Sequence, residues 1–296
     1  GALDMKALGI MQLQAFLALH ASGKQLSRDV LYVATADEEA GGFMGAGWLL
    51  ENRPEIFKDI GYLLNEGGGG RRFGTDTVFF VEVTQKVPVW LRLTAKGRSG
   101  HGSVPLAQTA VTRILRAGQR LADTRFEARV IEPVANLFQG VARFQRSELK
   151  SAFEDIGAHV TDAAFLQSLQ MTAPGYHALL RNTCSLTTLQ GSKKINVVPP
   201  EAVLELDCRL VPDRDVDQFI AQVTTVVNDR DVSIERIMSF TPASSSMDTS
   251  LYRLIQTKTG ERFPGSTTIP GVSTGFTDSH FFRDIGIVSY GYSATA

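Results

Sequence analysis

The chain has 296 residues, 43% hydrophobic and 21% charged, with 30 Lys+Arg against 31 Asp+Glu for a formal net charge of -1. That length supports one large domain or two with separate cores, and the balanced charge excludes the basic excess of a nucleic-acid or membrane-surface protein. No apolar run reaches the roughly 20 residues that span a bilayer, and a complement of two cysteines excludes a disulfide scaffold and a Cys-rich zinc site.

Met5 to about Ser22 carries Leu8, Met11, Ala15 and Leu19 at helical spacing, which predicts a helix with one buried face. After a polar turn, Val30 to Thr35 is a continuous apolar run, the pattern of a strand covered on both sides. A Gly-rich turn at Gly41-Gly42 leads into a helix through Trp48, Leu49 and Leu50. Ile60 to Leu64 reads as a second buried strand, ending in Asn65-Glu66 and four glycines. Strand, helix and strand with acids at the strand ends predict an α/β sheet with its site at the carboxyl edge.

The pattern changes near residue 85. Val87 to Ala95 alternates as a half-buried antiparallel strand does, and a helix follows from about Leu106 to Leu121 with Ala110, Ile114 and Leu121 inward and Arg113, Arg116 and Arg120 outward. Residues 122–180 read as a long, less regular helical insertion. Then come strands at Cys184–Leu189 and Ala202–Leu210, a helix at Val216–Val227 and a strand at Val232–Met238. Cys184 and Cys208 read as inert strand residues, with a single bridge between them left open. Past a Pro/Ser linker, Leu251–Thr259 is helical, Pro270–Gly275 is a loop and Ile287–Tyr290 is a strand. This order predicts one domain at 1–84 plus 243–296 and a second, inserted at 85–242. Both ends read as those of a fragment.

Asp37-Glu38-Glu39 directly follows a predicted strand, where adjacent acids are costly unless a cation compensates them. One of the two glutamates could ligate a metal while the other faces substrate as a base; a solvated acidic turn is the plain alternative. Asp4 could be a helix cap, and Glu66 a turn residue. All three acidic places fall at one edge of one predicted sheet, which favours a hard or borderline cation held by carboxylates.

The motifs Gly1-Ala-Leu-Asp-Met-Lys6, Thr35-Ala-Asp-Glu-Glu39, Asn65-Glu66-Gly67, Ser99-Gly-His-Gly102, Asn196-Val-Val-Pro199 with Asp207-Cys-Arg209, and Thr277-Asp-Ser279 stand in this order. Together they resemble family twenty of the metallopeptidases, the group of aminoacylase, glutamate carboxypeptidase and succinyl-diaminopimelate desuccinylase. Leu180-Arg-Asn-Thr with Lys194-Ile-Asn-Val-Val-Pro looks most like its carboxypeptidase S branch. The resemblance implies an α/β metallopeptidase catalytic domain with a central mixed sheet, plus an inserted α+β, ferredoxin-like lid and dimerisation domain. It implies a homodimer through that domain and two Zn2+ per subunit, replaceable by Co2+ or Mn2+. Asp4 would bridge the metals, Glu39 and Glu66 would each ligate one, and Glu38 would be the general base. His101 would hold the oxyanion, often from the neighbouring subunit, against a purely structural role for a lone His. Asn196 and Arg209 would bind the substrate's terminal carboxylate, against a simple pairing of Arg209 with Glu205 or Asp207.

The chain departs from that pattern at three points. The family's first metal-binding His belongs to a His-x-Asp motif and its last lies beyond the Tyr290-Gly-Tyr strand; this sequence has neither, and position 280 is His where many relatives carry Arg. With so few ligands the chain by itself is expected to bind zinc weakly and to show little activity; His280 is expected near the surface or behind the site. His20, His159 and His177 carry no motif. The expected activity is a metallo-carboxypeptidase acting on a small peptide, with an N-acyl-amino-acid deacylase or desuccinylase, or an inactive binding or dimerisation relative, as alternatives.

Overall fold

The structure, a computed structural model, describes residues 2–295; the turn expected at Gly1 and the terminal Ala296 lie outside them. In chain order the first elements are α1 (Ala7–Ala21), α2 (Trp48–Asn52), β1 (Tyr62–Asn65), β2 (Gly69–Phe73), β3 (Asp76–Gln85), β4 (Val87–Lys96), β5 (Gly100–His101) and α3 (Ala110–Asp123). The helices α4 (Glu132–Val141), α5 (Ser147–Glu154), α6 (Ile156–His159), α7 (Ala163–Thr172) and α8 (Pro174–Leu179) follow. Then come β6 (Thr183–Gln190), β7 (Val197–Val198), β8 (Glu201–Leu210), α9 (Val216–Val227) and β9 (Val232–Ser239). The chain closes with α10 (Ser250–Arg262), β10 (Thr267–Ser273), α11 (Ser279–Asp284) and β11 (Val288–Gly291). It divides into two compact units, one of residues 1–83, 245–271 and 277–296, the other of 84–244 with 272–276.

The first unit is built on a mixed sheet in the order β1-β11-β3-β10, with β2 also on β3. β1 runs parallel to β11 from Tyr62 opposite Val288 to Asn65 opposite Gly291, and β11 is antiparallel to β3. Val81, Val83, Tyr252, Ile255 and Tyr290 form one apolar cluster; Ala46, Phe57, Phe282 and Ile287 form another. The glycines after Glu66 do not end in a loop. Gly69 and Gly70 already belong to β2, which turns at Gly74 (φ 63) into β3.

Three expectations fail in this unit. Val30–Thr35 is not a strand, and Val30, Leu31 and Val33 are 51%, 49% and 40% exposed. α1 likewise buries none of its residues, and a cavity of about 650 Å³ opens among α1, residues 29–33 and β1. A strand exists only where its backbone pairs with another strand's hydrogen-bonding edge; β1 ends the sheet order, and residues 30–35 do not pair with it. Pro270–Gly275, expected as a loop, is in large part β10. β10 ends the sheet order, and an edge strand tolerates a proline because its missing N–H need not pair.

In the second unit the core sheet runs β6-β8-β4-β9, antiparallel throughout. Omitting the short β5 and β7 and the helical insertion, the elements read β4-α3-β6-β8-α9-β9, the βαββαβ order of a ferredoxin-like fold. The strict alternation of β8 buries Leu204, Leu206, Cys208 and Leu210 against Ile114, Ala117 and Leu121 of α3 and Phe219 and Val223 of α9. α3 starts at Ala110 because Thr109 and Thr112 cap it reciprocally: Thr112 N–H donates to Thr109 Oγ1 (3.1 Å) and Thr109 N–H to Thr112 Oγ1 (2.9 Å). Arg113, expected to face outward, instead holds Asp229 and Asp231, each at 2.7 Å. The insertion α4–α8 packs its own ring cluster of Phe138, Phe153 and Tyr176.

Cys184 and Cys208 stand directly opposite each other on β6 and β8 and are joined by a disulfide, which corrects the reading of two inert cysteines. Strand periodicity places each cysteine, but the bridge depends on a register that one strand alone does not specify. Lys86, 1% exposed, donates to the carbonyls of Ala178 and Arg181 (both 2.7 Å) and to Thr183 Oγ1 (3.1 Å), closing the end of α8.

Candidate active site

Asp37 shapes the acidic turn of the first unit. It sits in the left-handed region (φ 74), where a non-glycine residue is uncommon and Asp is among the best tolerated. Its carboxylate accepts from the Met44 N–H (2.8 Å) and its carbonyl from the N–H groups of Ala40 (3.0 Å) and Gly42 (2.8 Å). The chain therefore reverses sharply, with Glu38 and Glu39 on the short helical turn that follows. Asp278, at the head of α11 and 6% exposed, accepts from the Thr35 hydroxyl at 2.9 Å. Gly42 (φ 71) presses against it so closely that a Cβ there would lie 2.0 Å from Asp278 Oδ1.

The electrostatics show how far these acids converge. Burial, then Asp278, Glu39 and Asp4, push the Glu38 carboxyl up to about 7. Burial, Glu38 and Asp4 push Glu66 up to about 8, with a hydrogen bond to Asp4 and the charge of Asp278 adding to the rise. Burial lifts Asp278 to about 6, helped by Asp37 and opposed by the Thr35 hydroxyl. Asp4 precedes α1 in an extended conformation, and Glu66 follows β1. Four distant segments thus bring carboxylates into one field, and the repulsion among them is what a bound cation would relieve.

In charge and oxygen chemistry this donor set fits a divalent cation. Its coordination is not closed: among the described residues no three His, Cys, Asp or Glu side chains come together as metal ligands. Glu39 is exposed and enters the field only through its charge on Glu38. His280, expected near the surface or behind the site, is buried within α11, 3.8 Å from the Phe281 ring centroid and 3.9 Å from Asp284, and burial lowers its pKa.

The other sequence-derived residues lie in the second unit. His101 and Asn196 come together: β5 pairs with β7, Gly102 N–H donates to Asn196 O (2.8 Å), and Asn196 Nδ2 is 3.5 Å from His101 Nε2. The other ring nitrogen, Nδ1, is 2.7 Å from Ser103 Oγ and accepts the Ser103 N–H (3.2 Å). Arg209 forms a fork with Asp207 (2.7 and 3.0 Å) over the Phe276 ring, while Trp90 Nε1 donates to the same carboxylate (3.1 Å). Its Nη1 is buried without a partner. Among the described residues no hydrogen bond or ion pair joins Arg209 to His101 or Asn196.

Asp37 and Asp278 receive no role from the sequence, although both lie inside motifs, Thr35-Ala-Asp and Thr277-Asp-Ser. The signal was present as residue type, but their roles depend on a left-handed turn and on a contact between Thr35 and Asp278.

The family model described as Peptidase family M20/M25/M40 matches residues 1–296. The chain is 28% identical to the N-fatty-acyl-amino acid synthase/hydrolase PM20D1 of Xenopus tropicalis, over 99% of this chain and 58% of that protein. It is 26% identical to aminoacylase-1A of Rattus norvegicus (99% of this chain, 62% of that protein) and 25% identical to the probable carboxypeptidase S-like 2 of Dictyostelium discoideum (96% and 56%). It therefore spans less than two thirds of the length of these relatives. Among solved structures, human carnosine dipeptidase 1 matches with a TM-score of 0.62 at 14% identity, over 95% of this chain and 62% of that one, a likeness of fold.

Proposed function

This chain belongs to peptidase family M20/M25/M40, and on that premise we propose that it hydrolyses an amide bond to the nitrogen of an amino acid whose α-carboxylate is free. A small peptide cut at its carboxyl end is the first such substrate. An N-acyl amino acid is the second, supported by the names of two relatives, an N-fatty-acyl-amino acid synthase/hydrolase and an aminoacylase.

The observation that carries the reading is the convergence of negative charge on two buried carboxyls: Asp278 and Asp4 both push up Glu38 and Glu66, and Glu38 pushes up Glu66 as well. Asp4, Glu39 and Glu66 would hold divalent cations, Zn2+ by family. When bound, such ions supply Lewis-acid polarisation of the scissile carbonyl and lower the pKa of the attacking water. Glu38 takes the proton from that water and returns it to the leaving nitrogen, because a base must stand beside the water without being consumed as a ligand. Asp278 holds negative charge beside Glu38, which keeps it basic. Arg209, its guanidinium held flat by Asp207 and Phe276, offers its unpartnered Nη1 to the substrate carboxylate. His101 offers Nε2 to the tetrahedral oxyanion, with Asn196 beside it. A homodimer through the second unit belongs to the same reading, since the exposed outer strand β6 is an edge open to pairing.

Because two of the family's metal-binding His residues are absent from this sequence, Zn2+ affinity and turnover of this chain are expected to be low. The test is amino-acid release from a panel of dipeptides and N-acyl amino acids at high protein concentration, with EDTA and after Zn2+ or Co2+ addition in excess. Release abolished by EDTA and restored by the ion is the expected result. Release indifferent to EDTA, or confined to substrates with a blocked carboxylate, would contradict the reading.

A further inference from the structure

We propose that the buried pair Glu82–Arg283 positions the Glu66 turn for cation binding. The inference rests on the reading of Glu66 as a ligand.

Glu82 and Arg283 are 3% and 7% exposed, with Arg283 Nη2 3.4 Å from Glu82 Oε1. Burying two charges costs several kcal/mol per ion, and an apolar pair often stabilises as well or better. Stability alone gives little reason for an ion pair at this place. Its surroundings give another.

Glu82 on β3 is paired with Gly291 on β11, and Gly291 with Asn65 on β1, so one row across three strands ends at the residue before Glu66. The turn that follows is pressed onto that row. A Cβ on Gly67 (φ 98) would lie 2.6 Å from Glu82 Oε2. One on Gly291 would lie 2.3 Å from the Glu66 carbonyl and 3.0 Å from Glu82 Cβ. The Glu82 carboxylate therefore forms the floor on which the Gly67 backbone rests, directly beside Glu66. Arg283 fixes that floor in turn. Its Nη2 donates to Ser289 O (3.0 Å), and its Nε reaches Ser245 Oγ and Ser289 O, both at 3.3 Å. Ser245 and Ser289 are themselves hydrogen-bonded, Ser289 N–H to Ser245 Oγ (2.9 Å) and Ser245 Oγ–H to Ser289 O (2.9 Å). The carboxylate cannot swing away without breaking this network, so the height and angle of the Glu66 turn are set from beneath.

Zn2+ binding measured by calorimetry at 25 °C, with thermal midpoints in EDTA alongside, tests this on two variants. Glu82→Gln keeps the shape and removes the charge that anchors it to Arg283. Gly67→Ala keeps the pair and pushes the turn off its floor, and serves where Glu82→Gln does not fold. Each folded variant should bind Zn2+ roughly 10- to 100-fold more weakly, the loss seen when a ligand's supporting partner is removed. A merely structural role would lower the midpoint in EDTA and leave Zn2+ affinity unchanged, and that result overturns the inference. Wild-type protein that binds no Zn2+ would instead overturn the cation site itself, and this inference with it.

Discussion

The Thr35 hydroxyl donates a 2.9 Å hydrogen bond to the carboxylate of Asp278, tying the segment that leads into Glu38 to the head of α11. The bond joins two motifs far apart in sequence. It also holds a negative charge where it contributes most, after burial itself, to raising the pKa of Glu38.

The raised acids make stability depend on pH in an unusual direction. Glu38, Glu66 and Asp278 titrate near 7, 8 and 6 in the folded protein, above their unfolded values of 4.5, 4.5 and 3.8. The folded state then holds more protons, so their contribution is full below pH about 4 and is lost as pH rises through about 8. The thermal midpoint in EDTA should fall from pH 5 to pH 8, and Co2+ should restore more of it at pH 8. Glu66→Gln should flatten the EDTA profile. A wild-type midpoint that rises over this range, with no flattening in the variant, would show that the acids do not repel one another.

The disulfide should matter to the second unit. It closes a stretch with a sequence separation of 24, for which chain entropy gives about 3 kcal/mol of stabilisation. Reduction, or Cys208→Ala with Cys184→Ala, should lower the thermal midpoint while far-UV circular dichroism at 25 °C stays unchanged. Equal midpoints with and without reductant, together with two titratable thiols in the unreduced protein, would count against the bridge.

Lys86 serves three acceptors from a position that water does not reach. Lys86→Met keeps the apolar stem and leaves those acceptors without their donor, at a cost of about 2 kcal/mol or more. Urea unfolding measures it, and a variant as stable as wild type would mean that the ammonium is not holding the end of α8.

His101→Ala should separate turnover from metal content. The residue's hydrogen-bonding neighbours are Ser103 and Asn196, and its proposed role is on the oxyanion, not the cation, so Zn2+ affinity should be unchanged while kcat falls about 10²- to 10³-fold, the cost of a lost oxyanion donor. Loss of Zn2+ in this variant would make His101 a ligand instead.

Sequence periodicity locates α9 and the alternation of β8 because each packs on its own neighbours. Residues 30–35 show the limit: the run is apolar enough for a strand, yet strand formation needs a partner edge that composition does not encode. The hairpin of β2 and β3 leaves no alternation to read in its first strand, because glycines carry no side chain, although two of them pair with Phe79 and Phe80. The Cys184–Cys208 bridge, which the sequence leaves open, and the Glu82–Arg283 pair both depend on contacts between distant segments. One joins two strands and the other joins β3 to α11, and a single sequence shows only one side of each.

The central claim is that Glu38 moves the proton while Glu39, with Asp4 and Glu66, holds the cation. It is tested most directly by measuring Zn2+ content and kcat together in Glu38→Gln and Glu39→Gln. Glu38→Gln should retain the metal of the wild type and lose at least about 10² in kcat, whereas Glu39→Gln should lose the metal. A Glu38→Gln protein stripped of Zn2+ beside a Glu39→Gln protein that keeps it and loses turnover would exchange the two roles and contradict the account.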